Sequence, residues 1–229
     1  MSFPGLAERL AEIRRRIAEA VVRGGAGQRV TLVAVTKTHG PEAVHAAWNA
    51  GLRDVGENRV QEALGKMPGV SVPVAWHLIG HLQRNKVRSV DRFALVQSMD
   101  SARLADALDR HGVARGRPVD SLLQVNVVGE SRKGGFTPAE VAAEAERLNE
   151  CAGIRLVGVM TIAPYEADEA TLRRVFAGAR SARDLLVSAG HPAHELSMGM
   201  SGDYEVAIEE GATMVRLGTI LFGARGEGV

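Results

Sequence analysis

Val30-Thr31-Leu32-Val33-Ala34-Val35-Thr36-Lys37 is an unbroken apolar, β-branched run that stops on a lysine. Such a run reads as a buried strand, placed at 30–35. A helix is expected next over 41–50, with Pro41 in its first turn, where a missing N–H does no harm. Strand followed by helix is the unit that the rest of the chain repeats.

Working outward, an amphipathic helix precedes the run at 6–22. Leu6, Leu10, Ile13 and Ile17 share one face, and Gly24-Gly25-Ala26-Gly27 ends it. Downstream, strands are expected at 53–56, 75–79, 93–97, 121–127, 155–160, 194–197 and 213–217. Between them lie helices at 60–66, 83–90, 102–111 (capped by Ser101), 138–150, 169–189 and 204–210. Alternation of this kind needs parallel strands joined by crossovers. Eight strands in 229 residues predict an α/β fold: a single (β/α)8 TIM barrel domain over 1–229 with an extra N-terminal helix. An open doubly wound sheet is the alternative, but the Gly-x-Gly-x-x-Gly turn that would favour it is absent after the first strand. The stretch Gly129-Glu130-Ser131-Arg132-Lys133-Gly134-Gly135 is polar and glycine-rich and is expected to be mobile.

Composition narrows the function classes. Aromatics are only 4% of a chain that is 45% hydrophobic, so the core must be aliphatic. A net charge of +1 argues against an electrostatic nucleic-acid binder. No apolar run approaches the roughly 20 residues of a membrane span, and the charged N-terminus does not read as a signal peptide. Cys151 is the only cysteine, which makes an internal disulfide impossible and a cytoplasmic location the natural reading. Its place at the end of a helix suits an inert thiol better than a nucleophile.

Lys37 is one of four lysines, with Lys66, Lys86 and Lys133, among 28 basic residues. A lysine amine in a dry neighbourhood can attack an aldehyde, which a guanidinium cannot do. Lys37 is therefore a Schiff-base candidate; the competing reading is a strand-end lysine whose amine simply reaches water. Barrel sites form at the C-terminal ends of the strands. There Lys37 would meet Glu57, Asn58, His77, His81, Asn126, Thr161, Ser197, Ser201, Gly202, Arg216, Gly218 and Thr219. Ser197-Met198-Gly199-Met200-Ser201-Gly202-Asp203 and Arg216-Leu217-Gly218-Thr219 follow strands 7 and 8, where barrels commonly bind phosphate. Arg216 sits in an apolar strand and needs a partner, either a carboxylate such as Glu57 or an acceptor on a ligand. Facing a pyridine nitrogen, it would keep that nitrogen unprotonated and the ring a poor electron sink. His77 and His81 have a zinc-like spacing, but a strand and turn separate their rings and no third ligand is evident, so no metal site is expected. No spacing of carboxylates selects an acid–base dyad, and no catalytic residue is assigned.

Seven blocks carry a resemblance: 33–38, 56–62, 76–86, 123–126, 159–162, 196–201 and 215–219. In this order they resemble the pyridoxal 5′-phosphate homeostasis proteins, alanine-racemase-like barrels, over residues 6–225. The resemblance implies a fold-type III barrel like the N-terminal domain of alanine racemase. It implies that Lys37 carries pyridoxal 5′-phosphate as a Schiff base. Ser201, Gly202, Gly218 and Thr219 would hold the phosphate, and Arg216 would face the pyridine nitrogen. Asn58, His77, Met160 and Met198 would line the ring pocket. Where the family often has a lysine after a serine in the glycine-rich loop, this chain has Arg132, with Lys133 next.

Two functions follow. One is a non-enzymatic protein of vitamin B6 homeostasis that binds pyridoxal phosphate and related vitamers and passes the cofactor to dependent apoenzymes. The other is an amino-acid racemase. Alanine racemase needs a tyrosine from a second domain of a partner subunit; here the sequence ends soon after strand 8 and has only Tyr165 and Tyr204, so the second base is expected to be missing. With no large exposed apolar face evident, a monomer is expected.

Overall fold

The computed structural model describes residues 3–130 and 134–223. Eight parallel strands close into a barrel in chain order. They are β1 (Thr31–Val35), β2 (Asp54–Glu57), β3 (Ala75–Leu78), β4 (Leu95–Met99), β5 (Val119–Gln124), β6 (Ile154–Met160), β7 (Glu195–Ser197) and β8 (Met214–Leu217). The helices are α1 (Leu6–Gly24), α2 (Pro41–Asn49), α3 (Val60–Lys66), α4 (Ala102–Ala114), α5 (Pro138–Leu148), α6 (Glu169–Ser188), α7 (Tyr204–Glu209) and α8 (Thr219–Phe222). The closed barrel excludes the open-sheet alternative. Lys133 and Arg132 lie outside the described residues.

Most expected elements lie within three residues of their observed bounds, and each departure has a local cause. The segment read as a helix at 83–90 is a 3₁₀ helix over Arg84–Arg92. α8, four residues long, was too short to show a helical period. Ser101 does stand at the start of α4, but its hydroxyl donates to Asp100 Oδ1 (3.2 Å) and accepts no N–H of the helix. A capping box does form at α5, where the Glu140 carboxylate accepts the N–H of Thr137 at 2.7 Å.

Side-chain alternation along the strands sorts the core into two layers. Outward positions such as Ala34, Val55, Leu78, Val96, Leu123, Val159, Leu196 and Val215 pack beneath the helices in one large cluster. Leu95, Leu122, Met160 and Met214 come from different sides of the barrel and meet in its interior. The interior also takes polar residues: His77, Gln97, Ser197 and Arg216 are all buried. Aliphatic packing thus supplies the outer shell, and a polar layer fills much of the barrel's interior. Among the described residues, no helix is long and apolar enough to cross a membrane.

Candidate functional site

A cavity of about 620 Å³ opens at the C-terminal end of the barrel. That is within the size range of small-molecule sites. Lys37, Asn58, Ser201, Gly202, Arg216, Gly218 and Thr219 all line it, as the sequence reading expects. Val35, Ile79, Ile162, Pro164 and Leu172 form its apolar walls. Three expected ring-pocket residues are not in the lining. His77 and Met160 are buried in the barrel interior, whereas Met198 packs in the outer layer beneath the helices. Strand alternation explains the split: Leu196 and Met198 face outward, so Met198 is turned from the barrel axis.

The turn that carries Lys37 is held from outside the barrel. Thr38 has a left-handed backbone (φ 68°), unusual for a β-branched residue. Its N–H donates to the Glu62 carboxylate, and the His39 N–H donates to Thr36 O at 3.1 Å. Lys66, on the last turn of α3, donates to Thr36 O at 2.8 Å and to the Glu57 carboxylate. Thr36 Oγ1 donates to the same Glu57 oxygen at 2.6 Å. Burial raises the Glu57 carboxyl above its ordinary range, while Lys66 and Thr36 work against that rise. Such strain persists only where neighbours over-determine it.

Arg216 does not pair with Glu57. Arg216 shares the inward face of β8 with Met214, whereas Glu57 alternates outward with Val55. The guanidinium instead donates to Ser197 Oγ (2.6 Å) and Thr161 O (2.9 Å). Burial lowers its pKa to about 10, and the Asp203 carboxylate works against that shift. Burial in turn raises Asp203, opposed by the Met200 N–H and by Arg216.

In the turn after β7, Gly199 has φ 92°, and a Cβ there would lie 2.7 Å from the Ala207 side chain. The turn brings Met200 N–H to Asp203 Oδ1 (2.6 Å). The N–H groups of Ser201 and Gly202 take no partner within the described chain. Across the cavity, Gly80 fits against Asn58 so closely that a Cβ would lie 2.4 Å from the Asn58 carbonyl oxygen. An amine, a guanidinium, two hydroxyls and free amides around an apolar slot suit a flat anionic ligand with a reactive carbonyl. The mouth is apolar and open, with Tyr165 90% exposed beside exposed Ile162 and Met200.

The other candidates are elsewhere. His77 bonds to Asp54 and Gln97, and His81 bonds to Asp100 on the surface. Among the described residues no cluster of three or more His, Cys, Asp or Glu could hold a metal ion. Burial pushes the Cys151 thiol up, away from the thiolate a nucleophile requires. Asn126 binds its own loop through the Gly129 and Glu130 amides. Sequence reasoning missed Lys66 and Gln97; the only signal for Lys66 is its rarity in an arginine-rich chain.

A family profile described as alanine racemase, N-terminal domain, matches residues 9–226. A pyridoxal phosphate homeostasis protein of Pseudomonas aeruginosa (strain PAO1) is 43% identical over 226 residues, covering 97% of each chain. The chain belongs to the pyridoxal phosphate homeostasis protein family. Among solved structures, PipY of Synechococcus elongatus PCC7942 has been determined with PLP bound. It is 39% identical, with a TM-score of 0.84 over 95% of this chain and 100% of that one. Alanine racemase from Corynebacterium glutamicum shares only the fold: 17% identity and a TM-score of 0.71, over 92% of this chain and 61% of that one.

Proposed function

We propose that this protein binds pyridoxal 5′-phosphate through Lys37 and serves vitamin B6 homeostasis as a carrier rather than as an enzyme. The observation that carries this reading is one cavity joining the Lys37 amine, the Ser201–Gly202 and Gly218–Thr219 turns, and Arg216. Pyridoxal phosphate supplies an aldehyde that condenses with an amine, releasing water. Lys37 would hold that carbon. Ser201, Gly202, Gly218 and Thr219 would hold the phosphate, and Arg216 would face the ring nitrogen. The family membership and the PLP-bound relative support the assignment.

Delivery to apoenzymes is part of the same reading. It is supported by the exposed apolar rim of Ile162, Tyr165 and Met200, which leaves the bound vitamer close to any docking surface. A monomeric, cytoplasmic single-domain protein is in keeping with one unpaired cysteine and a site built from one chain. One observation favours a racemase instead: Tyr165, the side-chain type a second base would need, lines the pocket. Turnover of D- or L-amino acids above about 1 s⁻¹ would decide for it.

Borohydride reduction followed by peptide mapping tests the assignment. Modification is expected on Lys37 and nowhere else. Lys37→Ala should lose the reducible adduct and keep the fold by circular dichroism. An adduct retained in that variant at the same site would overturn the lysine assignment.

A further inference from the structure

A continuous chain of hydrogen bonds crosses the barrel beneath the pocket. It starts at Asp54, the first residue of β2, at the end of the barrel opposite the pocket. Asp54 Oδ1 meets His77 Nε2 at 3.0 Å. His77 Nδ1 meets Gln97 Nε2 at 2.9 Å. The other end of the Gln97 amide accepts from Ser197 Oγ at 2.6 Å, across the interior from β4 to β7. Ser197 Oγ then accepts from Arg216 at 2.6 Å. His77, Gln97, Ser197 and Arg216 are buried, while the Asp54 side chain is 29% exposed.

The donors and acceptors fit together in only one direction. A carboxylate accepts only, so His77 Nε2 carries a proton. The Gln97 amide nitrogen donates, so His77 Nδ1 must be the bare, accepting nitrogen. The same amide then presents oxygen to Ser197, whose hydroxyl proton is thereby committed. That leaves the Ser197 lone pairs for Arg216. While the His77 ring carries a single proton, turning any one link around places two donors, or two acceptors, face to face in a buried site. The polarity of the chain is fixed from both ends, by a carboxylate that only accepts and a guanidinium that only donates.

We propose that Asp54, His77, Gln97 and Ser197 are positioning residues, forming a one-way hydrogen-bond relay that aims the Arg216 guanidinium into the pocket. This rests on the reading of Arg216 as the partner of the ligand's ring nitrogen. It goes beyond that reading by giving work to residues that do not touch the ligand. His77 serves the site from below, through Arg216, instead of lining it.

Two measurements test the relay. The first uses the ligand-free protein. Nitrogen-15 NMR of labelled histidine should show His77 as the neutral form with its proton on Nε2, bonded to Asp54. A proton on Nδ1 would overturn the relay, whatever the protein binds. The second uses pyridoxal phosphate. Ser197→Ala removes the link beside Arg216 and should weaken binding about tenfold, the worth of one hydrogen bond to a charged group. It should also shift the absorption band of the bound vitamer, because Arg216 is no longer held at one angle. Asp54→Ala, distant and partly exposed, should keep the fold, strip His77 Nε2 of its acceptor and shift the same band in the same direction. Asp54→Asn, which keeps an accepting oxygen, should restore the band. Should Ser197→Ala and Asp54→Ala both fold with the wild-type band and affinity, the relay is refuted. If instead the wild-type protein forms no reducible adduct, the function proposed above fails, while the histidine measurement still decides the relay.

Discussion

Lys66→Met is the perturbation that most sharply tests how the Lys37 turn is held. The Lys66 and Glu57 side chains are 4% and 0% exposed, so neither charge has water to fall back on. Glu57 Oε2 already has no partner in the described structure, and among the described residues the carboxylate's only cation within bonding reach is Lys66, at Oε1. Removing one member of a buried pair costs about 3–5 kcal/mol, because the other charge is stranded. The carboxyl can escape by taking up a proton. From an ordinary value of 4.5, doing so at pH 7 costs about 1.4 kcal/mol for each of 2.5 units, roughly 3.4 kcal/mol. That sets the scale of the loss. In a chain of this size it corresponds to a fall in melting temperature of about 7–14 °C.

The pH dependence follows in sign. Burial raises the folded carboxyl above its unfolded value, and losing Lys66 raises it further. The folded state then binds the proton more tightly than the unfolded state. Stability must fall as pH climbs from the unfolded value through the folded one, and recover on acidification. The deficit of Lys66→Met should therefore shrink to about 1 kcal/mol near pH 5, read by urea denaturation at both pH values. The double variant Glu57→Gln/Lys66→Met should recover most of the loss at pH 7. A single variant as stable as wild type at pH 7, or a deficit unchanged at pH 5, would refute the stranded-charge account.

Two further substitutions probe the pocket. Ser201→Ala should weaken retention of pyridoxal phosphate more than that of pyridoxal, measured by equilibrium dialysis; equal loss for both would remove the phosphate from that turn. Gly80→Ala forces a Cβ to 2.4 Å from Asn58 O, and a β-carbon cannot yield as a long side chain would. It should destabilise by about 1–3 kcal/mol in chemical denaturation and loosen the pocket wall, seen as weaker vitamer binding.

The barrel was legible because its strands are runs of aliphatic residues at regular spacing, and local patterning carries that signal. Lys37 was legible as a pocket residue because it lies two positions past Val35, which lines the same cavity. The glycine turns after β7 and β8 were legible because their positions in the fold, not their composition, mark them. What escaped depends on side-chain facing. Glu57 and Arg216 are both polar residues on strands, and only alternation separates one facing α3 from one facing the interior. Lys66 reads as an ordinary charge on the last turn of a short helix, and nothing local foretells the carboxylate beneath it. Gln97 falls within an apolar strand, Leu95-Val96-Gln97-Ser98-Met99, and its partners are 20 and 100 residues away. Long-range polar pairings of this sort have no periodicity to betray them.

The two hidden networks lie on opposite sides of the barrel wall. The outer one fixes the backbone of the turn that bears the amine, through Lys66, Glu57 and Thr36. The inner one fixes the guanidinium, through Ser197, Gln97 and His77. A flat ligand held between Lys37 and Arg216 would thus be fixed at both ends by buried bonds. The mouth is built differently: Tyr165 and Met200 stand in solvent, and Glu166 beside Tyr165 takes a left-handed backbone (φ 54°). Local openings draw on the least-buried segments first. On the carrier reading, hold and release are therefore separable in this fold: substitutions in the two networks should change how tightly the vitamer is held, and substitutions at the mouth should change how fast it leaves.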